Sequence, residues 1–472
     1  MLFPTIEFAV FFSLVFPITW LLNKQNTLKK CFLVFASYIF YGFWSTNYLL
    51  LLFCSSIGNF LWALIFGYLR DGLLRRTLLW VGIAANLSVL AYFKYYNFFV
   101  ASVMDALSEL GLHANLEFIE VALPIAVSFL TFHALSYLID VYQRKLPPSR
   151  SPVDILLYIS FFPHLIAGPI VRAKAFLEQT ARVSDPRQVQ LGYSVLLIVG
   201  GLFKKVVIAN YISTDFADGI FRDPAAFSSL DLLLGMYAYA IQIYCDFSAY
   251  TDIAIGVANL LGYEFPQNFN QPYRATTLQD FWRRWHMTLS SWLRDYLYIP
   301  LGGSRHGKLA TLRNIMITMG LGGLWHGASF NFVIWGLLHG AWLCGERILG
   351  ITGNRAWSIW SAPGKILGWL ITFHFVCAAW VFFRSPTLDA SVTYFKSLAA
   401  GTGSTTTITP FAASLIVLGG LTQFFPVSAV AWLEESYDRA SVAVKIAIPA
   451  MAIFLVSAVS PSGVAPFIYF QF

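Results

Sequence analysis

Charge is scarce in this chain. Only 12% of its 472 residues are Asp, Glu, Lys or Arg, and 57% are hydrophobic. That is too little charge to cover the exterior of a soluble protein of this length. Cysteine patterning is also missing. Cys31, Cys54, Cys245, Cys344 and Cys377 are scattered and form no CxxC pair, so neither a disulfide framework nor a metal site is indicated. The chain has no GxSxG elbow, no GDS-type serine motif, no Walker loop and no HExxH. A self-contained serine esterase, phosphate-driven transport and metalloprotease chemistry therefore lack support. No basic segment precedes the first apolar stretch, which follows Glu7 and reads as a retained span, not a cleaved signal peptide. No internal repeat of the kind common in transporters is visible.

What is present is apolar length. The mean hydropathy is +0.64, and stretches of roughly 17–25 residues, enough to cross a hydrocarbon core as helix, recur throughout. Aromatic residues reach 17%, with 43 Phe and 23 Tyr, as lipid-facing surfaces and interfacial belts require. The expected class is an all-α polytopic membrane protein, one membrane domain over residues 1–472, surrounded by lipid. Spans are expected near 7–22, 31–45, 47–69, 77–100, 120–142, 189–212, 230–262, 311–326, 329–349, 365–383, 411–427 and 443–460, giving about eleven or twelve crossings. The stretch 230–262 is too long for one plain span and is expected to be tilted or broken. Pro163, Gly168 and Pro169 interrupt 152–172, which reads as a re-entrant or interfacial piece that protein must cover.

The net charge of +7 points to cytoplasmic retention of Lys and Arg, not to nucleic acid. Lys24, Lys29 and Lys30 follow the first span, Arg70, Arg75 and Arg76 the third, and Arg144, Lys145 and Arg150 the fifth. The intervening turns, near Ser45–Asn47 and 101–118, have no Lys or Arg. The positive-inside rule then places the N-terminus outside. The basic segment 263–313 falls on the cytoplasmic face, and the Gly/Ser/Thr-rich stretch 400–409 falls outside.

Chemistry-bearing residues concentrate between about 230 and 350. Asp246 and Asp252 lie in an apolar span, where a carboxylate is costly unless paired or hydrated. Two readings stand for them: docking on nearby arginines or amides, or substrate handling. Asn268-Phe269-Asn270-Gln271-Pro272 forms a polar turn before Phe281-Trp282-Arg283-Arg284-Trp285-His286. Trp282, Trp285, Leu289 and Trp292 share a helical face, with Arg283, Arg284 and Arg294 presented differently, as in an amphipathic helix at the cytoplasmic interface. Taken alone, His286 is more simply a structural histidine. The third block, Gly322-Gly323-Leu324-Trp325-His326-Gly327, sets a histidine at a helix break, where it can face a cavity instead of lipid. Desolvation favours the neutral ring, the state that accepts a proton. His339 and His374 read as packing or hydrogen-bonding histidines.

At these residues the chain resembles the membrane-bound O-acyltransferase (MBOAT) family, in the branch of the alginate O-acetyltransferase membrane subunit. The resemblance runs nearly end to end. It takes in Tyr92-Phe93-Lys94-Tyr95, Leu123 to Tyr142, Phe162-Pro163-His164-Leu165-Ile166-Ala167-Gly168-Pro169, both central histidine blocks and the ending Phe467–Phe472. It implies about 11–12 helices around a central funnel, with His326 as the catalytic histidine and His286 as its partner. Trp325, Asp246, Asp252 and Asn270 match family blocks and are expected to position substrate. The D-alanyl transferase branch shares the RWH and WHG blocks, but the His164 loop and the ending look more like the alginate type.

The activity implied is transfer of acetyl from cytoplasmic acetyl-CoA to an extracytoplasmic polysaccharide, in a bacterial inner membrane. No bound cofactor is implied. Arg283, Arg284 and Arg294 would attract the phosphates of acetyl-CoA. His326 would take the acceptor's proton, and His286 would either bind the oxyanion or orient the donor. The missing esterase serine implies a relay through an exported serine-nucleophile acetyltransferase within the polysaccharide biosynthesis machinery. Peptidoglycan, cellulose or D-alanyl chemistry are alternatives, as are a transporter and a non-catalytic scaffold.

Overall fold

The computed structural model describes all residues except 113–114, 121, 352–361, 402–407, 460–466 and 468–472. The loop expected at 400–409 falls mostly outside this set, as does the ending 467–472 apart from Phe467. Helices account for nearly all regular structure among the described residues, in two compact units.

The first unit comprises Met1–Gln190 and Val257–Phe265. Its helices are α1 (Ile6–Leu21), α2 (Asn26–Gly42), α3 (Leu49–Tyr68), α4 (Leu73–Leu90), α5 (Tyr96–Glu109), α6 (Val127–Tyr142), α7 (Pro152–Ser160), α8 (Phe162–Leu165) and α9 (Ala173–Thr180). A π-helical stretch at Ala91–Tyr95 joins α4 to α5. Two of the expected basic turns meet here, because Asp71 pairs with Arg75 at 2.5 Å and with Arg144 at 3.0 Å. Lys29 and Lys30 lie inside α2 instead of in the turn before it. Lys30 pairs with Asp154 at 2.5 Å, and Lys29 donates to Asn23 and Ser184.

The segment 152–172 is two short helices followed by extended chain, and protein buries all of 157–171. Phe161, Phe162 and His164 are wholly buried. Ser37 accepts from the Phe162 N–H at 3.1 Å. Phe162 packs against Phe11 and Phe40, with ring centroids 5.2 and 5.5 Å away. Backbone freed from helix is thus satisfied internally, as a non-aqueous setting demands.

The second unit comprises Leu191–Gly256 and Pro266–Phe472. It contains α10 (Leu191–Leu202), α11 (Ser229–Leu260, whose last residues count with the first unit), α12 (Leu278–Trp282), α13 (Met287–Leu293), α14 (Gly307–His326) and α15 (Phe330–Ile348). After these come α16 (Ala362–Arg384), α17 (Leu388–Ala400), α18 (Pro410–Leu421), α19 (Val427–Arg439) and α20 (Val442–Val459). Of the two expectations for 230–262, tilt or break, the break is not there: α11 is one helix of 32 residues. At about 1.5 Å per residue it is roughly 48 Å long, so tilt or projection accommodates its length.

Among the described residues, four helical stretches are long and apolar enough to cross a membrane unaided: Thr46–Tyr68, Leu73–Glu109, Leu191–Arg222 and Pro363–Arg384. A fifth candidate, Pro410–Phe424 with Val427–Arg439, bends by 91°. The other expected spans are also helical, but they are shorter, like α1 and α6, or carry polar side chains, like α11 and α14. Long apolar side chains stand exposed over the exterior, among them Leu50, Leu73, Ile446 and Phe454. Such a surface is suited to lipid.

Candidate active site

The core of the site is a helix crossing that only glycine permits. A Cβ on Gly323 would lie 2.2 Å from the Phe332 carbonyl oxygen, and one on Gly336 would lie 2.2 Å from that of Met319. The backbones of α14 and α15 therefore touch, and no side-chain adjustment would relieve the clash. His326 is the last residue of α14, and Ser329 caps the start of α15 by accepting from Asn331 N–H. His326 is 2% exposed. Its ring sits 5.1 Å from Trp325, 5.1 Å from Trp335 and 5.2 Å from Phe383, nearly edge-on to each.

His286 is held from the other side. It has a left-handed backbone, φ 41°, and it separates α12 from α13. The single amphipathic helix expected across this region is therefore two short helices. Trp285, Leu289 and Trp292 are buried in protein, not laid along an interface. The reason is a pairing the helical periodicity could not reveal. The Met287 N–H donates to the Asn268 carbonyl, and the Asn270 N–H donates to that of Arg284. The Asn268 side-chain oxygen meets His286 Nδ1 at 3.1 Å and also accepts from Thr288 N–H and Oγ. The His286 ring lies against Phe247 at 4.8 Å and 6.3 Å from Trp325. Trp325 thus contacts both histidines. Phe467 backs the cluster through Phe247 at 5.5 Å.

The remaining expected residues scatter around this centre. Asp246 pairs with Lys205 at 2.6 Å and Asp252 with Lys204 at 2.5 Å, so both carboxylates dock on lysines where arginines or amides were expected. The two lysines lie in a π-helical stretch, Phe203–Ala209, a geometry frequent at functional sites. The sequence held a signal for them: two adjacent lysines inside an apolar span. Asn270 is exposed, and Asn268 is the asparagine that holds His286.

A cavity of about 620 Å³ opens beside α12, α13 and the middle of α14. Arg283, Arg294 and Arg347 line it with Trp282, Ser290 and Thr318. Arg284 turns elsewhere, to Asp280 at 2.9 Å and the Asn270 carbonyl. Arg347 was not foreseen, because it sits at the far end of α15. The lining stops along α14 at Thr318 and Met319, short of His326. Trp282 spans the gap, its ring 5.7 Å from Trp335, which is itself against His326.

Residues 38–384 match the MBOAT, membrane-bound O-acyltransferase, family. The chain belongs to that family. It is a multi-pass membrane O-acyltransferase. Among its relatives is the probable alginate O-acetylase AlgI of Pseudomonas syringae pv. tomato, 39% identical over 83% of this chain and 74% of the relative. The peptidoglycan O-acetyltransferase of Helicobacter pylori is 38% identical over 79% of this chain and 74% of its own length. The teichoic acid D-alanyltransferase of Bacillus subtilis is 31% identical over 55% of this chain and 68% of the relative.

Proposed function

We propose that this O-acyltransferase takes acetyl from cytoplasmic acetyl-CoA and passes it across the bacterial inner membrane for O-acetylation of an extracytoplasmic polysaccharide, alginate or a related polymer. The observation that carries this reading is the pair of buried histidines flanking Trp325, beside an arginine-lined cavity. That cavity falls within the roughly 300–1,000 Å³ typical of small-molecule sites. Arg283, Arg294 and Arg347 suit the pyrophosphate and 3′-phosphate of CoA. The basic turns gathered around Asp71 support a cytoplasmic face there, with the N-terminus outside.

In the reaction, the acceptor hydroxyl attacks the thioester carbonyl while His326 takes its proton. The C–O bond forms, the C–S bond breaks, and the CoA thiolate leaves with the proton from His326. The absence of an esterase serine motif from the sequence supports a relay, in which an exported serine-nucleophile acetyltransferase completes the transfer. The test is acetyl-CoA turnover by the purified protein in nanodiscs, wild type against His326→Ala, with and without the exported partner. Turnover lost in the variant is the expected result. Equal rates in both, or none with the partner supplied, would leave a transporter or a scaffold. Peptidoglycan is the second acceptor to test, because the Helicobacter pylori relative is about as similar as those named for alginate.

A further inference from the structure

Two buried histidines near the site carry their protons on opposite ring nitrogens, and the hydrogen bonds fix both. A backbone N–H can only donate, and Thr288 donates to the atom of Asn268 that also meets His286 Nδ1. That atom is therefore the carbonyl oxygen, and His286 Nδ1 bears the hydrogen. Neutral His286 presents a bare Nε2, buried and without a hydrogen-bond partner among the described residues. It is poised to accept, not to donate.

His339 is the reverse case. The Trp282 indole is a donor only, and it donates to His339 Nδ1 at 3.2 Å. The proton of neutral His339 therefore sits on Nε2. This N–H is fully buried and has no acceptor among the described residues. A buried donor left unsatisfied is costly and calls for a ligand or an ordered water. One turn back on the same face of α15, the Trp335 indole N–H is buried in the same condition. The His339 ring lies 4.6 Å from Trp335, which lies 5.1 Å from His326. Trp282, which sets the His339 tautomer, is itself part of the cavity wall.

We propose that His339 is a catalytic residue whose Nε2–H donates to the acyl carbonyl oxygen of the bound thioester. This rests on the acyl-transfer reading above. As the acceptor oxygen attacks and its proton moves to His326, the carbonyl π pair shifts onto the oxygen. His339 holds that oxyanion, with the Trp335 N–H beside it. When the C=O bond re-forms, the C–S bond breaks and the thiolate takes the proton from His326. Donors fixed in advance around a developing oxyanion are worth about 10²–10³-fold in rate.

The test compares His339→Phe, which keeps a ring and removes the donor, with His339→Gln, which keeps an N–H. Trp282→Phe leaves His339 in place but frees its tautomer. Each is assayed in nanodiscs for acetyl-CoA turnover and for binding of two probes, CoA and its acetonyl thioether, which keeps the carbonyl but cannot transfer acyl. The expected result for His339→Phe is turnover about 10²-fold down, with the thioether's advantage over CoA lost and CoA affinity unchanged. His339→Gln recovers part of both, and Trp282→Phe falls between. Wild-type turnover in His339→Phe, or an equal loss of CoA and thioether binding in every variant, would overturn the assignment. If His339→Phe does not fold, the other two variants decide by the same probe ratio. A wild type that neither binds nor consumes acetyl-CoA overturns the acyl-transfer reading itself, a result that no His339 substitution would mimic.

Discussion

Each unit contains a pair of buried histidines in an aromatic nest, and the pairs are built differently. In the first unit, His133 and His164 stack on each other, 4.5 Å apart and 29° from parallel. Tyr158, Phe161 and Phe176 surround them. His164 Nε2 donates to the Tyr158 carbonyl at 2.9 Å, which ties the chain of 161–172 back to α7. In the second unit, His286 and His326 each face Trp325, and a cavity with three arginines lies one tryptophan away. Burial is equal in the two places, and so is aromatic company. What separates them is the neighbouring arginine-lined space, which can hold a charged substrate.

The strongest way to break this contrast is at His326. His326→Ala is expected to lower acetyl transfer about 10²–10⁴-fold, the contribution of a positioned general base. The variant should still insert and keep its melting temperature. A residual rate near wild type would put the second unit's pair on the same footing as the first unit's.

The next effect concerns the buried ion pair behind the site. Lys205 and Asp246 have side chains only 2% and 5% exposed. Removing one partner leaves the other charge buried, a loss of about 3–5 kcal/mol. Asp246→Asn should therefore unfold at clearly lower temperature. Lys205→Met combined with Asp246→Leu should recover most of the loss if the pair is structural. Recovered stability without recovered turnover would assign Asp246 to substrate handling. The more exposed Lys30–Asp154 pair of the first unit, with side chains 11% and 20% exposed, should cost less to break.

A smaller effect sharpens the contrast at the cavity. Arg283→Ala and Arg347→Ala should each raise KM for acetyl-CoA roughly ten-fold with kcat nearly unchanged, the pattern of lost uniform binding to a charged group. Arg284→Ala, whose guanidinium is engaged by Asp280, should leave KM alone. Steady-state kinetics on the three variants separates them, and an Arg284 effect as large as that of Arg347 would relocate the phosphate site.

Much of this was legible in the sequence, and the failures have a physical pattern. Composition and apolar length gave the helical membrane class, and glycines around Trp325-His326 correctly marked a helix break. The cost of carboxylates in an apolar span correctly required partners for Asp246 and Asp252, but which residues would pair with them depends on long-range packing. The helical period running through Trp282, Trp285 and Leu289 concealed a chain reversal, because one left-handed residue, His286, resets the direction of every side chain after it. Asn268 lies against the ring and Asn270 outside, although only two residues separate them, a difference that composition does not encode. Arg347 joined Arg283 and Arg294 only through the crossing of helices distant in sequence.

The smallest expected change is in the first unit, and it tests the contrast from its other end. His133→Phe retains a planar ring against His164 and Tyr158 while removing the ring nitrogens. Because the pair serves as packing for the Phe161–Arg172 chain, the substitution should act on stability, at about 1 kcal/mol or a few degrees of melting temperature. Acetyl-CoA turnover per folded molecule should stay at the wild-type value. Thermal unfolding and turnover measured on the same preparation separate the two effects. If His133→Phe instead lost turnover as His326→Ala does, with its melting temperature intact, an exposed cavity would no longer be what distinguishes a working histidine in this protein.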